Sequence, residues 1–130
     1  MSTHVLRGEQ RRQIARSRLF NIDNGAGVTV DDVVLRHSQA VQLLTARIVY
    51  ATENAGTVAG ANIRIGTTVA GTQIAGSTAY VNGSAVGGAT PVPLVQREIP
   101  ANTPVIVRHT GIAATVPGEA YVEIEYMVVS

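Results

Sequence analysis

Apolar and polar side chains alternate along much of the chain with a period of two, the spacing of a strand that buries one face. The clearest case is residues 43–51, where Leu44, Ala46, Ile48 and Tyr50 share one face and Thr45 and Arg47 the other. Residues 119–129 repeat it, with Ala120, Val122, Ile124, Tyr126 and Val128 alternating against Glu119, Tyr121, Glu123, Glu125 and Met127. Three glutamates on one face mark a surface turned to solvent or to a basic partner. Short apolar runs bounded by Gly, Pro and Asn predict further strands at 19–23, 28–37, 61–66, 78–82, 92–99 and 104–110. No segment carries helical periodicity over a dozen residues. About eight strands predict an all-β chain, an antiparallel two-sheet sandwich or jelly roll, with an immunoglobulin-like sandwich as the alternative.

Turn chemistry refines the order. Ile99-Pro100-Ala101-Asn102-Thr103-Pro104 places Pro where φ near −65° is wanted and Asn where a left-handed residue is tolerated, which predicts a tight hairpin. Val116-Pro117-Gly118-Glu119 fits a type II turn, with Gly at the position of positive φ. On that basis 92–99, 104–110 and 119–129 form a meander. Residues 54–90 are rich in Gly, Ala, Ser and Thr and are expected to be loops around weak strands. The echo of Thr57-Val58-Ala59-Gly60 in Thr68-Val69-Ala70-Gly71 is too short in period for a solenoid repeat.

Residues 1–18 break the strand pattern. They are polar and charged, and Val5, Leu6, Ile14 and Ala15 form at most one helical turn. The chain therefore divides into a basic N-terminal arm, 1–18, and a β-sandwich domain, 19–130. Arg7, Arg11, Arg12, Arg16 and Arg18 face only Glu9 there, so the arm carries about +4 and the remainder about −3 of a net +1. All ten basic side chains are Arg and none is Lys, a choice suited to bidentate contact with carboxylate or phosphate.

The composition is 45% hydrophobic with one Phe and no Trp, so Val, Ile, Leu, Ala and four Tyr must build the core. With no Cys, packing has to stabilise the fold without disulfides or sulfur-ligated zinc. No apolar run has signal-peptide or membrane-spanning length, so a soluble protein made in the cytoplasm, with no membrane partner, is expected.

Catalytic chemistry finds little support. His4, His37 and His109 show no ligand spacing, and Arg36 and Arg108 beside the last two disfavour a bound cation. Asp31 and Asp32 are consecutive, so a strand sends them to opposite faces. Glu123 and Glu125 share a face but adjoin no sign of a sugar cleft. Gly66 to Gly71 has the gap of a phosphate loop, yet Thr72 and Gln73 stand where Lys and a hydroxyl belong. Asn82-Gly83-Ser84 is a glycosylation triplet without a secretion signal. No enzyme, cofactor or metal is expected. The five arm arginines, Arg7, Arg11, Arg12, Arg16 and Arg18, are the candidate partner-binding residues, ordering on an acidic surface through charge-assisted hydrogen bonds.

Three stretches carry a family resemblance: Val33-Val34-Leu35-Arg36-His37, Ala46-Arg47-Ile48-Val49-Tyr50, and Ala61-Asn62-Ile63-Arg64-Ile65-Gly66 with its Gly- and Ala-rich loop. Val105-Ile106-Val107-Arg108-His109-Thr110-Gly111, Pro117-Gly118-Glu119 and Tyr121-Val122-Glu123-Ile124-Glu125-Tyr126 extend it. Residues 28–128 thus resemble small head proteins of tailed bacteriophages, through strand patterns rather than a diagnostic motif. The resemblance implies a virion structural protein, a capsid decoration or cement protein on the outer surface of the phage head. Its implied partners are the major capsid protein and its own copies, as a trimer or dimer, with no catalytic residues. Two other functions fit the composition. A small coat protein would use the Arg arm on packaged nucleic acid, although Glu9 and the absence of Lys make nucleic acid the weaker partner. A lectin-like module would stack sugars on Tyr80 and Tyr121.

Overall fold

The computed structural model describes residues 11–53, 60–81, 84–113 and 118–129, and these are all-β. Ten strands form two antiparallel sheets: β1 (Gln13–Arg16), β2 (Phe20–Asn21), β3 (Thr29–Leu35), β4 (Val41–Tyr50), β5 (Asn62–Gly66), β6 (Ala75–Ala79), β7 (Ala89–Pro91), β8 (Glu98–Ile99), β9 (Val105–Thr110) and β10 (Glu119–Val128). One sheet runs β1-β10-β4-β7, the other β3-β9-β5-β6. β2 continues β1 along the same edge of β10, and β8 continues β7 along β4. Counted by position, each sheet is therefore four strands wide. Numbering those eight positions in chain order gives 1-8-3-6 over 2-7-4-5, the jelly-roll connectivity, which decides between the two predicted sandwiches.

The core lies between the sheets, where Leu43, Ile48, Val122 and Ile124 meet Ile63, Ile65, Val105 and Val107, all fully buried. β-branched side chains dominate because they suit a pleated surface and lose little rotamer freedom there.

Several local expectations are corrected. The last part of the basic stretch is extended: β1 pairs with β10, and the Ser17 N–H and hydroxyl bond the Val122 carbonyl and N–H at 2.8 Å each. In β4, Leu44 has no partner, because Leu43 faces Tyr126 and Thr45 faces Glu125. This bulge shifts the alternation by one, so Leu43 takes the buried place and Leu44 is only half-buried. Of the strand predicted at 92–99 only Glu98–Ile99 forms, while a short strand, β7, precedes it at Ala89–Pro91, and Pro93 between them cannot donate to a ladder. The strand expected at 78–82 begins at Ala75 and ends at Ala79. The meander does not form: β8 and β10 belong to one sheet and β9 to the other. The turn between β8 and β9 has Asn102 at φ 60° and a 3.3 Å bond from Thr103 N–H to the Pro100 carbonyl, but it carries the chain across to the opposite sheet. Sequence alone could not distinguish these outcomes, since a tight turn looks the same whichever sheet receives the next strand. The Val116 turn and the first copy of the Thr57 echo lie largely outside the described residues.

Candidate functional site

The outward face of the β1-β10-β4 sheet carries the densest polar chemistry. Register places Glu123 between Arg16 of β1 and Arg47 of β4, three side chains abreast on one face. Arg16 Nε donates to one carboxylate oxygen at 2.8 Å, and Arg47 Nε to the other at 2.9 Å with its Nη2 also in contact. Glu123 is only 4% exposed, whereas the two arginine side chains remain 60% and 52% exposed. The carboxylate is thus roofed by two guanidinium groups that face water. Next along the face, Arg12 donates to Glu125 at 3.1 Å, and the Arg16 guanidinium lies 5.7 Å from the Tyr121 ring centroid.

Electrostatics fixes what this cluster can do. Burial alone would raise the Glu123 pKa, but hydrogen bonds and charge from Arg16 and Arg47 outweigh it and hold the group below the ordinary carboxylate range. The hydrogen bond to Glu123 raises Arg16 in turn. A carboxylate held ionised at neutral pH is a poor general acid, and both of its oxygens already accept hydrogen bonds. Two of the three glutamates on that face, Glu123 and Glu125, do meet a basic partner, supplied by the chain itself.

The sequence-predicted arginines separate accordingly. Arg7 lies outside the described residues. Arg12 and Arg16 are engaged with Glu125 and Glu123. Arg11 and Arg18 are exposed and make no ion pair among the described residues, although the Arg18 backbone N–H donates to Asp32 at 2.7 Å. Asp31 and Asp32 point to opposite sides as expected: Asp31 instead takes a bidentate pair of 2.8 Å bonds from Arg108, which raises that guanidinium's pKa. Arg47 was visible in the sequence as an outward residue on its strand, but its pairing with Glu123 needed the register.

The remaining candidates are structural. His109 is fully buried, with its Nδ1 2.7 Å from the Tyr80 hydroxyl and its ring stacked on Phe20 at 5.3 Å. Burial lowers its pKa to about 4, with a smaller opposing effect from the Asn21 backbone, so the ring is neutral at pH 7. His37 sits beyond the far end of the β3–β9 ladder and accepts a bond from Gln39 N–H, so the two imidazoles do not converge. In the Gly66 to Gly71 loop, Gln73 Oε1 accepts from Thr67 N–H at 3.1 Å and Nε2 donates to Thr68 Oγ1 at 3.2 Å. That side chain fills the space a phosphate would need. Tyr80 is 4% exposed and Tyr121 lies beside Arg16, so neither is an open sugar platform. Asn82 and Gly83 lie outside the described residues. Among the described residues no three His, Asp or Glu side chains gather to hold a metal.

No family model and no curated protein matches the chain. Among solved structures, a chain of the "Cyanophage Pam1 capsid asymmetric unit" superposes with a TM-score of 0.63 at 9% identity, covering 99% of this chain and 93% of that one. The chain is therefore similar in fold, from end to end, to a component of a phage capsid structure.

Proposed function

We propose that this chain is a structural protein of a bacteriophage head, a decoration or cement protein seated on the outside of the capsid and associating with its own copies as dimers or trimers. The observation that carries the proposal is the fold similarity to a capsid chain over nearly the full length of both molecules. Fold alone does not define function, and the polar chemistry supports the same reading. Glu123, Glu125 and Asp31 are bound by arginines and His109 is locked in the core, which suits a load-bearing scaffold. Arg11 and Arg18, together with Arg7, would contact acidic groups of the major capsid protein.

The nucleic-acid reading loses ground because Arg12 and Arg16 already hold glutamates. The test is composition of purified heads. The chain is expected to co-purify with particles at a copy ratio near one to the major capsid protein. Its absence from particles would refute the assignment.

A further inference from the structure

Residues 65–96 contain no Asp, Glu, Lys, Arg or His, in a chain that is 15% charged. The fold places the described part of this stretch mainly along one flank of the sandwich, an edge that β8, with exposed Arg97 and Glu98, continues beyond β7. β6 is the outer strand of one sheet and β7 of the other, and both belong to the uncharged stretch. Their connections close the flank at both ends. Val95 N–H donates to the Ile74 carbonyl at 2.7 Å at one end. At the other, Val81 N–H reaches the Tyr50 hydroxyl and Gly87 N–H the Tyr50 carbonyl, each at 2.8 Å. The two most exposed large apolar side chains among the described residues, Val95 at 81% and Val86 at 66%, stand in this stretch.

We propose that the β6–β7 part of this flank is the surface through which two copies of the chain meet across a two-fold axis. Near such an axis each group faces its own kind, so a charge placed there meets its like. A surface with no charge pairs with itself without that penalty, whereas it offers nothing to complement an acidic or basic partner. The opposite flank presents Arg16 on β1 and Asp31 and Asp32 on β3. The contact is side-chain packing rather than one continuous sheet. β6 carries an extra residue at Gly76–Ser77 relative to β5, and Pro91 removes a donor from β7. A stable interface takes about 800 Å² from each copy, well within what a quarter of the chain can present.

The inference rests on the self-association in the proposed function and not on the capsid partner. Co-purification with heads tests the latter, and mass in solution tests this surface. Light scattering of the full chain at micromolar concentrations is expected to give a dimer. Val86→Glu should weaken it by about tenfold or more, with circular dichroism unchanged. Val33→Glu, on the opposite flank where Val33 is 56% exposed, should leave the dimer intact. Mixing Val86→Glu with Val86→Arg should restore association. A monomeric wild type, a dimer unmoved by Val86→Glu, or one lost only with Val33→Glu would overturn the proposal.

Discussion

On the flank formed by β1 and β3, arginine meets carboxylate across neighbouring strands: Arg12 with Glu125, Arg16 with Glu123, Arg108 with Asp31. On the other flank β6 and β7 carry no ionisable side chain, and charge returns only where β8, with exposed Arg97 and Glu98, continues the edge. Both flanks end in edge strands, which must avoid indiscriminate pairing with other chains. The first does so with charge, and with a bulge near the end of β3. The second does so with an irregular ladder and a proline, devices that block strand addition while leaving side chains free to pack. One flank thus pairs much of its charge internally, and the other is largely neutral.

The sharpest way to break this contrast is to remove the charged flank. Deleting residues 1–18 takes away β1 and Ser17, strips Arg16 from a buried carboxylate and bares the edge of β10, so loss of soluble folded protein is expected. Deleting 1–10 should leave the melting temperature within a degree or two. Equal melting of both truncations would show that β1 contributes nothing. The arm's binding role is therefore tested with the shorter deletion combined with Arg11→Ala and Arg18→Ala, which should weaken attachment to capsids without unfolding the domain.

Acid tests the junction between the flanks, where Tyr80 from beyond β6 meets His109 of β9. A folded-state pKa near 4 against an ordinary 6.5 means the unfolded chain binds the proton first. Stability is therefore complete above about pH 6.5 and falls as pH drops toward 4, by about 2–3 kcal/mol between pH 7 and 4.5. Urea denaturation at the two values measures it. A flat profile in that window would mean that His109 reaches solvent. Glu123, held below the carboxylate range by its arginines, adds its own loss only at still lower pH.

Smaller effects follow from single groups. Glu123→Gln keeps the shape but loses both ion pairs, and should cost about 1–2 kcal/mol by denaturant titration, since the guanidinium groups stay largely hydrated. On the uncharged flank, Val86→Glu should change the monomer's stability by less than about 0.5 kcal/mol, because exposed positions away from the core tolerate substitution. Its effect should appear in self-association alone. A large stability loss would place Val86 in the core instead.

The sequence by itself determined the strand class, the inward face of β10 and most of the core, because burial on one side of a pleated strand leaves a period of two in the residues. It also determined that Asp31 and Asp32 part company, a consequence of the same period. Only the tertiary structure decided that the strands join as a jelly roll, that Gln13–Arg16 is an edge strand, and that Leu43 rather than Leu44 is buried. Connectivity and register arise from contacts between residues far apart in the chain. Arg16 and Glu123 are 107 positions apart, and no local pattern reports that they meet. For the same reason the arginines that seemed free in the sequence are in part already engaged, and the uncharged stretch becomes one edge only when β6 and β7 close the same side of the sandwich.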